Sequence, residues 1–321
     1  MELRRVAPVV GLGALLLIDA VLIGWALRPG PAEVADAVAG VSVASPRGTA
    51  TSPTPTSSRS ASPSASPSPS PAAVSVVPLT RTVAAVGRSI AWVADVGTCA
   101  KPGRVRVTSD RGVSWSSGAA PAQVLRIRPD SGTAAFLTGG DSRCALRLWS
   151  TSDGAASWGG AQSASRAWSR MPDDATTVHV PTNGVVAPCP GTAKVIDLTA
   201  VDVQTALVLC AGGQVRTTSD SGQSWRTAFS VKGGLALALS PDASAGVLAR
   251  VDKACAGVVV LPVRGSVVGT QQSCVRSTPA SGRVAVAGSA TSWWLVVGDD
   301  VFVAAAPEGP WSATKAGLGK G

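Results

Sequence analysis

Three stretches of eight residues carry one pattern: Thr108-Ser-Asp-Arg-Gly-Val-Ser-Trp115, Thr151-Ser-Asp-Gly-Ala-Ala-Ser-Trp158 and Thr218-Ser-Asp-Ser-Gly-Gln-Ser-Trp225. Each opens Thr-Ser-Asp and closes Ser-Trp, and the chemistry reads as a turn. Asp110, Asp153 and Asp220 can accept hydrogen bonds from backbone N–H groups just ahead of them, and Gly112 and Gly222 can supply a positive φ. The closing Trp folds back beneath the turn as an apolar plug. A repeated plugged turn implies a repeated β unit.

The flanks agree. From Val74 onward short apolar runs alternate with turn signals, and several alternate with period two, as in Arg104-Val-Arg-Val107 and Leu146-Arg-Leu148. Pro129-Asp-Ser-Gly132 and Pro241-Asp-Ala-Ser244 read as turns joining two strands. Glu occurs only at positions 2, 33 and 308, so charged helix formers are scarce, while Gly, Val, Ser, Thr and Trp favour strands and tight turns. Asp110 and Asp153 are 43 residues apart, the length of one blade, and Asp153 and Asp220 are 67 apart, a blade plus an insertion around 161–190. Two further units follow Trp225. One runs Leu235–Val263, where Cys255-Ala-Gly-Val echoes Cys144-Ala-Leu-Arg, and the other runs Arg283–Trp311, where Ala306-Pro-Glu-Gly-Pro-Trp311 reads as a shortened turn of the same kind. The expected fold is all-β: a β-propeller of five or six four-stranded blades, with seven as the upper bound. A β-sandwich is the alternative, and it leaves the repeated plug unexplained.

The three stretches resemble the Asp-box, or BNR repeat, of sialidases, sortilin-type propellers and propellers like the photosystem II assembly factors. The first and third copies match the pattern in full, at Thr108, Asp110, Gly112, Ser114 and Trp115 and at Thr218, Asp220, Gly222, Ser224 and Trp225. The second matches at Thr151, Asp153, Ser157 and Trp158 but has Ala155 where the Gly should be and Gly154 one place early. The resemblance implies that the motif closes the turn between the third and fourth strands of a blade, away from the ligand-binding face. It therefore speaks to fold, not activity.

The first 73 residues do not read as globular. Residues 1–5 are a short basic start, and Val6–Leu27 is an apolar run of 22 residues with one charge, Asp19, long enough to cross a bilayer. Arg4 and Arg5 before it favour a cytoplasmic N-terminus and an uncleaved signal anchor, although small-residue sites near Ala35–Ala39 would permit cleavage. Residues 28–73, ending in a Ser, Pro, Thr and Ala tract, form a semi-rigid stalk. The propeller is expected over 74–315 and a flexible terminus over 316–321. This organisation places a single-pass protein in the cell membrane, with its propeller outside, in a bacterial cell envelope. The whole chain carries +9, of which the folded part carries +8. No Lys/Arg cluster of the kind used for nucleic acid appears, so no nucleic-acid partner is expected.

All six cysteines follow the apolar run, and an even count in an exported domain points to disulfides. The expected set is Cys99–Cys144, Cys189–Cys210 and Cys255–Cys274, since Cys189 and Cys274 each lie upstream of a strand run and can reach a cysteine in the same or adjoining blade. No Cys-x-x-Cys is present and His179 is the only histidine, so no metal and no cofactor are expected. The chain has no Tyr, the sialidase nucleophile, and no Arg-Ile-Pro signature; Arg126-Ile-Arg128 is the nearest fragment. No catalytic residue is singled out. Asp95, Asp202 and the pair Asp299-Asp300 are the candidate carboxylates for a glycan hydrolase, and no spacing singles them out. Trp92, Trp293 and Trp294 lie on strands, where alternation would bury one member of the pair and expose the other.

The reading is a membrane-anchored extracytoplasmic propeller that binds a cell-envelope protein or polysaccharide as an assembly scaffold. The alternatives are a glycan-active hydrolase and a basic tether to an anionic wall polymer. Whether the protein is an enzyme stays open.

Overall fold

A computed structural model describes residues 74–319, and every regular element in them is a strand. The expected stretches 1–5, 6–27 and 28–73 lie outside the described residues. Among the described residues no helix is long and apolar enough to cross a membrane.

The strands form six antiparallel sheets, each a blade of a propeller. Blade 1 is β1 (Arg81–Ala85), β2 (Ala91–Asp95), β3 (Arg104–Thr108) and β4 (Ser116–Ala119). Blade 2 is β5 (Arg126–Pro129), β6 (Ala135–Gly140), β7 (Leu146–Thr151) and β8 (Gln162–Ser163). Blade 3 has three short strands, β9 (Ser169–Arg170), β10 (Val178–Val180) and β11 (Gly184–Val186). Blade 4 is β12 (Val195–Ala200), β13 (Ala206–Cys210), β14 (Gln214–Thr218) and β15 (Arg226–Ser230). Blade 5 is β16 (Gly234–Leu239), β17 (Gly246–Val251) and β18 (Val258–Arg264), with β19 (Val267–Val268) and β20 (Ser273–Val275) both paired to β18 as a broken fourth strand. Blade 6 is β21 (Val284–Gly288), β22 (Trp293–Val297), β23 (Asp300–Ala304) and β24 (Ser312–Ala313).

The gap between the second and third repeated turns thus holds a blade, the sixth unit that the spacing allowed across the insertion. Its polar, Ala- and Ser-rich residues give strands of only two or three residues, of which the sequence showed one, at 177–180. Blade 3 also runs differently. Trp168 Nε1 donates to Asp202 O just beyond β12, while Val195 N at the start of β12 donates to Ala175 O in the loop after β9. β9 therefore runs opposite to β12 and takes a second-strand place. The irregular segment 164–168 stands where an inner strand would be.

The core lies between blade faces, as sheet packing demands. One apolar cluster joins blades 5, 6 and 1, and others join blades 1 and 2, blades 3 and 4, and blades 4 and 5. Among the described residues no such cluster joins blades 2 and 3. Trp293 and Trp294 are both buried, because β22 is covered on both faces; strand alternation predicted one of them outside.

Neighbouring turns fix the polarity of the ring. Arg111 N donates to Ser89 O, Gly154 N to Thr133 O and Ser221 N to Gln204 O, so the repeated turns and the loops between first and second strands share one end, here the turn end. The disulfides gather at the opposite end. Cys99–Cys144 ties blade 1 to blade 2, Cys189–Cys210 ties blade 3 to blade 4, and Cys255–Cys274 staples blade 5 to its own broken outer strand. These are the three pairings that sequence position favoured.

The ring closes without strand exchange. Thr80 N donates to Gly282 O, and the buried Arg81 on β1 reaches Gly298 O and, at 3.0 Å, Asp299 of blade 6. Ala316 N donates to Gly112 O and Leu318 N to Asp299 O, with Leu318 only 2% exposed. The expected flexible terminus at 316–321 is therefore corrected for 316–318, which are built into the closure between blades 6 and 1.

Candidate binding site

The three repeated turns fold alike and lie between β3 and β4, β7 and β8, and β14 and β15. In the first, Asp110 Oδ1 accepts from Val113 N and Ser114 N at 3.0 Å each, and Oδ2 accepts from the Ser114 hydroxyl at 2.6 Å. The Thr108 hydroxyl donates to Asp110 at 2.8 Å and accepts from Gly112 N at 2.9 Å. Thr151, Asp153 and Ser157 repeat this, as do Thr218, Asp220, Gly222 and Ser224. Hydrogen bonds from the serine hydroxyls, then from the serine amides and threonines, hold all three carboxyls down at about 2. In the second copy Ala155 takes the left-handed conformation that Gly112 and Gly222 take in the others, at φ 70°. Every oxygen is committed to the turn, so these aspartates are fasteners.

The four candidate carboxylates are also occupied: Asp95 and Asp299 meet at Arg81, Asp300 follows Asp299 in sequence, and Asp202 lies apart. Asp95 pairs with Arg81 and, at 2.8 Å, with Arg106; although burial opposes it, these two arginines leave its carboxyl below the usual range. Asp299 pairs with Arg81 and Arg283. Asp300 accepts from the Ser277 hydroxyl at 2.8 Å. Asp202 accepts from Gln204 N and Thr205 N, which lower its carboxyl. Of the four only Asp202 faces the cavity described next. His179 lies on β10, its Nδ1 2.8 Å from Ala167 O. Among the described residues no group of His, Cys, Asp or Glu is placed to hold a metal ion.

A cavity of about 650 Å³ occupies the central channel and widens toward blade 3, where the inner strand is missing. Its lining comes mainly from the innermost strands of the other five blades and from residues 163–170. At the turn end Pro129, Asp202, Val203, Ser240 and Pro241 border it. Four arginines face it: Arg126, Arg128, Arg166 and Arg170. Alternation along β5 puts Arg126 and Arg128 on the channel face while Ile127 enters the core between blades 1 and 2. Arg126 donates to Trp168 O at 3.3 Å and to Ala200 O at 3.2 Å, bracing the irregular segment against blade 4. Arg170 is buried and donates to Leu79 O at 3.0 Å. Arg128 stacks over Phe136 at 5.6 Å, and Arg166 is exposed. Burial pulls Arg126 down to about 10 and lowers Arg170 as well.

Asp197 is the group that sequence reasoning missed. It sits on a bulge in β12, faces the cavity and accepts from Leu198 N and Leu237 N at 2.8 Å each, linking blades 4 and 5. Burial dominates and pushes its carboxyl up to about 6, against those two amides and the charges of Arg170 and Arg126. A charged residue on a strand reads in sequence as the solvent face, and nothing in the pattern marks a bulge. The arginine pair on β5 was legible only as a fragment of an unrelated signature.

No family model and no curated protein matches the chain. Among solved structures it is similar to YCF48 bound to D1 peptide, at 16% identity and a TM-score of 0.28, over 73% of this chain and 65% of that one. It is similar to the SapL1 lectin in complex with alpha methyl fucoside, at 14% identity and 0.47, over 77% and 99%. It is also similar to an Aleuria aurantia lectin in complex with Fucalpha1-6GlcNAc, at 10% identity and 0.49, over 73% and 94%. The chain thus spans just under two thirds of the length of the first of these.

Proposed function

We propose that this protein is an exported binding module of the Asp-box type, whose propeller presents the turn end of its channel to a cell-envelope protein or glycan. The observation that carries the reading is the cavity. It is large enough for a small ligand, it is walled by arginines, and its two carboxylates already accept backbone amides. The three disulfides suit an oxidising compartment. The apolar run 6–27 and the stalk 28–73 would hold the propeller at the membrane, outside the cytoplasm. The test is a pull-down from envelope extract with the full chain in detergent, reading protein and carbohydrate. A specifically retained component supports a scaffold. Retention of nothing by the folded protein removes the reading.

A hydrolase is the second reading, and one observation favours it: Asp197, raised to about 6, shares a cavity with the ionised Asp202. A raised and a lowered carboxyl facing one space is the arrangement that acid–base cleavage of a glycoside needs. Turnover of a glycan that Asp197→Asn or Asp202→Asn abolishes would establish it. Binding without turnover, retained in both variants, would leave the binding module.

A further inference from the structure

We infer that the seam between blades 2 and 3 is a receptor for a small polyhydroxylated ligand bearing one oxyanion, a carboxylate or a phosphoryl group, which the arginines of β5 and of residues 166–170 hold. The inference rests on the binding-module reading and names the ligand class.

Three observations converge on this place. Blade 3 lacks an inner strand, so the channel wall opens here instead of being filled by side chains. It is also the junction that no apolar cluster spans among the described residues. Into this gap project four guanidinium groups, and none has a carboxylate within ion-pair distance among the described residues. The hydrogen-bond partners of Arg126 and Arg170 are neutral carbonyls, and Asp197, whose carboxyl their charges lower, forms an ion pair with neither.

Some arginines elsewhere in the molecule are paired. Arg81, Arg106, Arg147, Arg250, Arg264 and Arg283 each pair with an acid. Others, such as Arg88, Arg104, Arg111 and Arg143, also lack an acid partner among the described residues, so what sets these four apart is that they face one cavity together. The planar guanidinium fork matches carboxylate and phosphoryl oxygens, and partial burial strengthens such bonds. Arg128 and Arg166, the more exposed, make the first contact; Arg126 lies deeper along the same strand. Threonine and serine side chains on the lining (Thr138, Ser163 and Thr199) suit ligand hydroxyls, and small apolar residues suit the faces of a ring.

The experiment is titration calorimetry on the full-length protein in detergent with glucuronate, glucose 6-phosphate, inorganic phosphate and neutral glucose. At least one charged sugar should bind, and glucose should bind at least about tenfold more weakly. The exposed pair R128A/R166A should weaken the charged sugar at least about tenfold, while the control R143A, at the disulfide end, leaves it unchanged. The carboxylate and phosphate arms decide which oxyanion is preferred. Equal binding of glucose, unchanged affinity in R128A/R166A, or no binding of any probe to protein that melts cooperatively would overturn the inference. An acidic peptide bound where all the sugars fail would overturn it too. If R128A/R166A still retains the envelope partner of wild type, the binding module stands and this inference falls.

Discussion

Trp115, which closes the first repeated turn in blade 1, meets Trp294 on β22 of blade 6 edge to face, with ring centroids 6.5 Å apart and planes at 82°. Trp225 meets Trp168 in the same way across blades 4 and 3, at 6.2 Å and 89°. Trp92 and Trp158 share one core across blades 1 and 2. Trp115 and Trp225 therefore each cap a tryptophan of the preceding blade, and Trp158 packs against the cluster that holds Trp92. Trp92, Trp168 and Trp294 in turn donate their indole N–H groups to carbonyls of Ser131, Asp202 and Gly87, each in the first loop of the next blade. The repeated turn is an inter-blade clamp, and the pair Trp115–Trp294 uses it to close the ring.

Replacing Trp294 with Ala should therefore cost about 3–5 kcal/mol, the range for a fully buried aromatic, because Trp294 is 0% exposed and Gly87 O also loses its donor. Denaturant unfolding checks it. The half-buried Trp115→Ala should cost less, and the double variant less than the sum, since the two rings are one contact. Strict additivity would mean that the edge-to-face pair does not couple the blades.

Arg81 closes the same joint from the start of β1. Its side chain is 1% exposed and reaches Asp95 of its own blade and Asp299 of blade 6. Arg81→Met should cost about 2–4 kcal/mol, held below the upper end because Asp95 and Asp299 are 36% and 54% exposed and can rehydrate. Amide exchange should rise first in β1 and β21. Unchanged exchange there would show that the backbone contacts alone seal the ring.

How much of this was legible follows from what each signal encodes. The turns were readable because Thr, Asp, Ser and Trp act within eight residues, and a local hydrogen-bond pattern leaves a local trace. Blade 3 was legible only in its middle strand, at 177–180, because Ser169–Arg170 and Gly184–Val186 are too short to show a period. The clamp was half legible: Trp92, Trp293 and Trp294 were seen on strands, but which turn each would face is a relation between blades. Asp197 and the four arginines converge only through the ring, from strands far apart in sequence, so no window of the chain contains their site.

Cys189–Cys210 should be the most consequential disulfide for local order. Blade 3 has no inner strand, and its one apolar cluster is shared with blade 4, where both cysteines are buried. Converting both to Ala should cost roughly 2–4 kcal/mol and should loosen β10 and β11 before the rest of the ring. Exchange measured by mass spectrometry reads this directly. Uniform loosening of all six blades would instead mean that the ring unfolds as one unit.

The two kinds of aspartate predict opposite acid responses. Asp110, Asp153 and Asp220 have folded values depressed to about 2, so the stability they contribute is present above the unfolded value and is lost as pH falls toward 2. Asp197 is raised to about 6, so its contribution is present below the unfolded value, near 3.8, and is lost as pH rises through 6. Stability should therefore decline between about pH 4 and 6 by a few kcal/mol at most, a trend opposite to that of the turn aspartates. Asp197→Asn shifts the whole curve by the mismatch of an amide against Leu198 N and Leu237 N, but that offset is independent of pH. The decline between pH 4 and 6 should vanish in the variant whatever its offset. A decline that persists unchanged would place the titrating group elsewhere and return Asp197 to an ordinary, ionised link between blades 4 and 5.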